Sequence, residues 1–494
     1  MKNFYPIRQL FKISKKFGNI VAVEQSDKSY SYKDFWLMVS NLSKKILQRK
    51  KGPFVAVVGE KNILSYVSLF SVILSGGTYI PISSNLPLVR IFKIISLLRV
   101  DIIICPNKIK HVLKKKFLEK DFITEKDLSN DINSCNIFSN KVNKLAYIIF
   151  TSGSTGAPKG VCISRKSLEH YVKWLTSNLK IVKGSKCSQF PEIGFDLSVA
   201  DIYGTLCSGG TLCPADSIYS KTFPGRFIQS KRINYLVCVP SLIDIIKNSN
   251  DLNKKNLTSL KRVFFCGEPL LKSHVQGLFK AKSNLEIINS YGPTEATVSC
   301  TYKKVTKNNL KTNIHQSISI GKPIKGTKIK LMYDGDFSSK RGEIIIYGKQ
   351  VADGYLNTKD NKKKFFFSKR DGASFKTGDY VTIINKEMYF KNRIDRQVKI
   401  KGHRIELDDI TANILKFGIK NAATILLYNK IIAFYSDKKK INQNSIKLFL
   451  KKYIPEYMLP NYFLYIKKIP YNQNGKLDTN NLLKTAKRKL NVKK

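Results

Sequence analysis

Leu145-Ala-Tyr-Ile-Ile-Phe150, continued by Thr151-Ser-Gly-Ser-Thr-Gly-Ala-Pro-Lys-Gly160, is the stretch that decides the fold. Six consecutive apolar residues read as a buried strand. They run into a loop of hydroxyls, glycines and one lysine. Such a loop suits a polyphosphate. Gly153 and Gly156 let backbone N–H groups approach the oxygens, Thr151, Ser152, Ser154 and Thr155 offer hydroxyls, and Lys159 supplies charge. It is not a Walker A loop, because the GxxxxGK[ST] spacing is not met. A flexible Ser/Gly connection is the other reading of the same composition.

Upstream, the first 140 residues alternate between strands and helices. Residues 53–59 (PFVAVVG) and 78–83 (TYIPIS) read as strands, with an apolar helical stretch at 62–77 between them that ends at glycines. Residues 99–106 (RVDIIICP) give another strand. Strand, helix, strand with intervening turns is the signature of a parallel sheet. Downstream, further β-rich runs occur at 235–239, 262–266 and 285–289. From Gly321 to Phe390 the pattern changes to short strands with Gly-rich turns, which suggests a β-barrel-like subdomain. After Arg393-Ile394-Asp395 it changes again, to alternating helix and strand. The expectation is an α/β protein. A large N-terminal domain, 1–394, holds two parallel-type α/β subdomains plus the β-barrel-like one, and a small mobile C-terminal α+β domain covers 395–494.

With 87 Lys+Arg against 35 Asp+Glu, the formal charge of the 494-residue chain is +52. Two readings compete: a polyanionic partner, or compositional drift in a chain rich in Lys, Asn and Ile throughout. The lysines are spread along the chain and not interleaved with aromatics, so no nucleic-acid partner is expected. A positive surface would still speed encounter with an acidic partner. The most apolar stretch, Ser65 to Ile82, is interrupted by serines and by Gly76-Gly77, so no membrane span is expected. The N-terminus lacks the apolar core of a secretory signal. Nine cysteines occur without a CxxC pair, a scatter that fits neither a zinc site nor a disulfide framework. It suits reduced, buried thiols in a cytoplasmic enzyme.

The phosphate loop resembles that of the adenylate-forming superfamily, which comprises acyl-CoA synthetases, luciferases and amino-acid adenylation domains. The resemblance runs along nearly the whole chain in the family's order. Tyr30-Ser-Tyr-Lys-Asp-Phe-Trp36 and Leu74-Ser-Gly-Gly-Thr-Tyr-Ile-Pro81 are similar to its first two motifs. Asn289-Ser-Tyr-Gly-Pro-Thr-Glu-Ala-Thr297, the stretch from Gly342-Glu343 through Val351-Ala-Asp-Gly-Tyr355, and Lys376-Thr-Gly-Asp379 resemble three later ones. Asn392-Arg-Ile-Asp-Arg-Gln-Val-Lys399, Gly402-His-Arg-Ile-Glu406, Tyr457-Met-Leu-Pro460 and Asn474-Gly-Lys476 complete the set.

The resemblance implies ATP and Mg²⁺ as cofactors and assigns roles to residues. Tyr291 offers a ring for adenine to stack on, with core packing as the alternative. Thr294 would hold a phosphate oxygen. Glu295 would hold Mg²⁺, which prefers hard carboxylate oxygen; an acid in a first helical turn is the other reading. Asp379 would accept from the ribose hydroxyls, or simply make an Asx-turn. Arg393 resembles the arginine that also reaches the nucleotide. Lys476 is the expected catalytic residue, an ammonium that stabilises negative charge building on carboxyl and phosphate oxygens. Asn472-Gln473 replace the family's usual Thr-Pro just before it, so the loop there is expected to differ in shape. Asp395 is the expected hinge for rotation of the C-terminal domain, against the alternative of a surface turn.

Phe195-Asp196-Leu197-Ser198 resembles the substrate motif of amino-acid-activating members, in which Asp196 would pair with the α-ammonium. A helix N-cap is the competing role. Together with Phe265-Cys-Gly-Glu268 the segment looks most similar to the D-alanine–D-alanyl carrier protein ligases. Cys266 falls where those enzymes crowd the substrate side chain, though a core thiol is the plain alternative. By the same alignment Leu197, Ala200, Val237, Phe264, Ser290 and Val298 form an apolar, compact wall. Ala200 replaces a larger residue, so the pocket is expected to admit a substrate slightly bigger than alanine. No Gly-Gly-x-Ser phosphopantetheine site follows the last motif. The expected acceptor is therefore a carrier protein with a phosphopantetheine arm, loaded in trans. Competing readings are a natural-product adenylation enzyme for another small apolar amino acid, and an acyl-CoA ligase that needs no amine.

Overall fold

The strand that opens the phosphate loop lies inside a seven-stranded sheet. Its order is Gly354–Tyr355, Lys159–Ser164, Leu145–Thr151, Thr78–Ser83, Phe54–Gly59, Ile102–Ile104 and Asp121–Ile123. The coordinates are a computed structural model that describes residues 4–26, 28–128, 141–153, 158–312, 316–356, 361–437, 441–471 and 477–491. Phe54–Gly59 and Thr78–Ser83 pair in parallel, joined by helix Ile63–Leu74, as a βαβ unit requires. Asn62 caps that helix by accepting from the Ser65 N–H at 3.0 Å. The helix ends before Gly76, whose φ of 81° turns the chain back. Every residue of Thr78–Ser83 is buried, the continuous burial of a strand covered on both faces.

A second, nine-stranded sheet runs Lys322–Pro323, Thr301–Val305, Glu286–Tyr291, Arg262–Phe265, Tyr235–Cys238, Lys186–Gln189, Thr211–Pro214, Val21–Gln25 and Lys28–Ser31. Its inner strands are parallel, while Thr301–Val305 returns antiparallel against Glu286–Tyr291. The third sheet is antiparallel, with six strands between Thr327 and Arg393. Its long strand Gly372–Ile384 pairs with three neighbours: Arg341–Gly348, Phe365–Ser368 and Glu387–Arg393. The C-terminal segment carries a two-stranded ladder, Gln397–Ile400 with His403–Glu406. It also carries a three-stranded sheet that mixes antiparallel and parallel pairs. Helices Leu407–Lys416, Gln443–Lys451 and Thr479–Lys489 complete this α+β layer.

Contacts divide the chain into two units. One comprises 1–83, 98–149 and 160–394; the other takes 84–97 and 150–159 together with 395–494. In the second unit Arg90 and Asp409 form a buried ion pair at 3.4 Å. The His403 ring stacks on Tyr457, with centroids 3.7 Å apart. The eight described cysteines are all buried. No helix among the described residues is long and apolar enough to cross a membrane.

His403 makes the second unit sensitive to acid. Burial of the ring, reinforced by the charge of Lys401, brings its pKa down from 6.5 to about 4. The unfolded chain therefore binds one more proton than the folded one between these pH values. Stability is full above pH 6.5 and declines as pH falls towards 4, by at most about 3 kcal/mol. Hydrogen exchange over 397–406 should accelerate through this window. His403→Phe, which keeps a flat ring against Tyr457, should flatten the dependence; an unchanged slope would reject the assignment.

Candidate active site

Strand Glu286–Tyr291 delivers Tyr291 to the sheet edge, buried apart from 7% of its surface. Its hydroxyl donates to Asp379 Oδ2 at 2.6 Å. Asp379, on the long strand of the third sheet, is fully buried. Its other oxygen pairs with Arg393 Nη1, and Arg393 Nη2 donates to the Thr377 carbonyl at 3.1 Å. Asp379 and Arg393 are directly opposite residues of an antiparallel ladder, the position at which side chains on adjacent strands meet. Burial, and after it the charge of Asp379, push the Tyr291 phenol well above its ordinary range, so it remains a donor. Residues from three separate motifs thus form one hydrogen-bonded triad. Asp379 spends its carboxylate on this network and not on an Asx-turn.

Beyond Tyr291 the chain turns through Gly292-Pro293 into the short turn Thr294–Ala296. A Cβ on Gly292 would lie 2.4 Å from Ser299 Cα, so only glycine fits there. Glu295 is fully buried, and its Oε1 accepts from the Tyr355 hydroxyl at 2.6 Å. Its carbonyl accepts from the Ala352 N–H at 2.8 Å. Thr297 and Val298 follow at φ of 53° and 72°, a left-handed conformation that β-branched residues adopt only under constraint. The constraint is Gln350. Its Nε2 donates to the carbonyls of Ala296 at 2.8 Å and Thr297 at 3.2 Å, and also to that of Ser299. In return, Thr297 Oγ1 donates to the Gln350 carbonyl at 2.7 Å.

Gln350 and Tyr355 were not legible as site residues. Tyr355 ends a recognised motif, but nothing local assigns it to Glu295. Gln350 lies inside the stretch that ends at Tyr355, but no role is assigned to it there.

Asp196 stands at the start of helix Leu197–Leu206 with helical backbone angles and makes no capping hydrogen bond. The N-cap role is therefore not what its side chain does. Its charge acts on the buried phenols of Tyr147 and Tyr171. Leu197, Ala200, Val237, Phe264, Cys266 and Val298 are all buried and belong to one apolar cluster. Cys266 Sγ lies 3.6 Å from the Val298 carbonyl. Ser290 is buried on the same strand as Tyr291, and its hydroxyl has no hydrogen-bond partner among the described residues. No charged side chain belongs to this wall.

In the second unit, Thr151 Oγ1 reaches the Lys159 carbonyl at 3.5 Å. Ser152 is buried and turns its hydroxyl to backbone: it donates to the Arg404 carbonyl at 2.8 Å and accepts from the Glu406 N–H at 3.2 Å. Gly153 follows it without regular structure. Ser154, Thr155 and Gly156 lie outside the described residues, as does Lys476. Asp395 opens the unit's longest segment and accepts from the Gln397 N–H at 3.3 Å.

Among the described residues no cluster of three or more His, Cys, Asp or Glu could cage a metal ion. Glu295 is a single buried carboxylate. That donor set fits Mg²⁺ carried on nucleotide phosphates, which needs one or two protein carboxylates, and does not fit a dedicated protein site.

This α/β architecture, with nucleotide-type donors clustered between strand ends, is that of an adenylation enzyme. The family model for AMP-binding enzymes matches residues 10–356, and the chain belongs to that family. It is 32% identical over 471 residues to the D-alanine–D-alanyl carrier protein ligase of Listeria monocytogenes, covering 90% of this chain and 91% of that one. With the ligase of the same name from Lactococcus lactis it shares 29% identity over 495 residues, covering 96% and 97%. Its fold is similar to that of the Vibrio cholerae adenylation domain AlmE, solved with glycyl-adenosine-5'-phosphate. The TM-score is 0.87 at 23% identity, covering 98% of both chains. A similar likeness holds to PA1221, which contains adenylation and carrier domains, at TM-score 0.82 and 21% identity over 98% of this chain and 85% of that one.

Proposed function

We propose that the protein activates a small amino acid, D-alanine or one slightly larger, with ATP, and transfers it to the phosphopantetheine thiol of a separate carrier protein. Asp196 carries this reading. It is a carboxylate that caps no helix, set beside an apolar wall and buried phenols. The similarity to carrier protein ligases over most of both chains supports the same substrate class.

In the first half-reaction a carboxylate oxygen of the amino acid attacks the α-phosphorus. The bond to the β-phosphate oxygen breaks and pyrophosphate leaves. Tyr291 would take the adenine, Asp379 the ribose hydroxyls and Thr294 a phosphate oxygen; Arg393 would also reach the nucleotide, and the 151–159 loop would bind phosphate. Glu295 would hold Mg²⁺, which neutralises phosphate charge when bound. In the second half-reaction the carrier's thiol sulfur loses its proton and attacks the acyl carbon. AMP departs and a thioester forms. We assign residues 1–394 to the adenylation core and 395–494 to a mobile lid hinged at Asp395. The division of contacts at Ile394 and Asp395 supports that assignment. Buried thiols and ATP dependence support a cytoplasmic setting.

A second substrate, another small apolar amino acid, is favoured by Ala200, a small buried residue where the D-alanine ligases tend to have a larger one. ATP–pyrophosphate exchange with amino acids and with propionate tests the reading. D-alanine or a near homologue should support exchange and propionate should not. Asp196→Asn should raise the KM for the amino acid by the equivalent of about 2–5 kcal/mol, the scale of truncating a buried charge pair. Exchange driven by propionate or fatty acids alone would overturn the proposal in favour of an acyl-CoA ligase.

A further inference from the structure

Lys61 is the exception among the described lysines: its side chain is 4% exposed. It lies in the turn between strand Phe54–Gly59 and helix Ile63–Leu74. Burying an ammonium is costly unless it is paired and hydrogen-bonded, and the pairing here is specific. Nζ donates to the Phe190 carbonyl at 2.9 Å and faces Glu192 at 3.6 Å. Glu192 also pairs with Lys221 at 3.5 Å, and its carbonyl accepts from the Phe195 N–H at 2.9 Å.

These contacts fall on one segment. Phe190 to Phe195 links strand Lys186–Gln189 to Asp196 and contains no regular element. Its other attachments include the Phe227 ring, edge-on to Phe190 at 5.6 Å, and the Ser198 N–H, which donates to the Phe195 carbonyl at 3.0 Å. The Gln189 amide donates to the Pro191 carbonyl, while Tyr66 holds Gln189 at 3.0 Å. Ser198 Oγ reaches the Ile193 carbonyl at 3.3 Å. Lys61 and Tyr66, from the same turn and helix, supply two of its side-chain fastenings. Asp201, in the same helix that Asp196 precedes, is fully buried. Burial raises its carboxyl well above the usual range, and the Lys61 charge opposes that shift.

We propose that Lys61 is a positioning residue for amino-acid recognition, holding the Phe190–Phe195 segment so that Asp196 meets the substrate's α-ammonium. The inference rests on the reading of Asp196 given above. It predicts a split between substrates. In pyrophosphate exchange, Lys61→Met should raise the KM for D-alanine about 10- to 100-fold, the scale of losing a hydrogen bond from a charged donor. The KM for ATP and kcat should stay within about twofold. Lys61→Arg should restore most of the affinity. Glu192→Gln, which leaves Lys61 in place, should show the same split at smaller size. These two variants carry the test if Lys61→Met fails to fold.

Parallel rises in both KM values, a fall in kcat alone, or no change in any variant would overturn the inference. Asp196→Asn, assayed alongside, separates the two claims. If it leaves the D-alanine KM unchanged, the amino-group reading falls. If it acts and the Lys61 and Glu192 variants do not, only the positioning role falls.

Discussion

Replacing Lys476 with alanine is expected to slow adenylate formation by about 10²–10³-fold, the cost of removing one preorganised charge from a developing oxyanion. In-line attack at the α-phosphorus brings the negative carboxylate against the negative phosphate oxygens in one transition state. An ammonium between them is more useful in the transition state than in the ground state, so the loss should appear in kcat. Arginine should not substitute, because a planar guanidinium cannot fill the place of a compact, rotatable ammonium. Transfer to the thiol makes a different demand. The acyl carbon is attacked and the departing AMP gains one negative charge, but the proposed rotation about Asp395 would by then have carried Lys476 away from the phosphate. Supplying Lys476→Ala with preformed aminoacyl-adenylate and a carrier protein should therefore give thioester at nearly the wild-type rate. Equal loss in both half-reactions would refute this division of labour.

Local pattern made four of the seven strands of the first sheet legible. Phe54–Gly59 and Thr78–Ser83 are largely apolar runs bounded by turns, and strand ends fall where the composition changes. The order of strands was not legible. Val21–Gln25 pairs with Thr211–Pro214 nearly two hundred residues away, and hydropathy says nothing of such partners.

The same limit applied to the site. Tyr291, Asp379 and Arg393 were found singly, each inside its own motif, but their joining depends on register across two sheets. Asp196 reads equally well as cap or ligand until the helix start is seen. The supporting residues left no trace. Gln350 acts through a side-chain amide on three carbonyls, which any glutamine could supply. Lys61 is one cation among 87 basic residues, and only its burial marks it out. Ser152 shows the converse. Its place in a hydroxyl- and glycine-rich loop is plain, yet its hydroxyl is committed to the backbone of Arg404 and Glu406.

Asp379→Ala should be the most damaging single change in the nucleotide triad, because it harms the fold and the chemistry at once. The carboxylate is fully buried, and the Arg393 side chain beside it is 8% exposed. Removing the acid leaves a buried guanidinium without its counter-ion and the Tyr291 hydroxyl without its acceptor. Breaking a buried pair from one side costs about 3–5 kcal/mol. Removing both partners costs far less, since no orphaned charge remains. Asp379→Ala combined with Arg393→Met should thus recover most of the stability in denaturant titrations. It should not recover ATP binding, because the acceptor for the ribose hydroxyls is still missing. Asp379→Asn should fall between: the amide oxygen can accept from one donor, while its N–H groups face the other. The two readouts therefore move apart across the series, with stability following the pairing of Arg393 and the KM for ATP following the carboxylate. A double variant as unstable as Asp379→Ala would show that the pair is not coupled. A double variant that binds ATP normally would remove Asp379 from the nucleotide site.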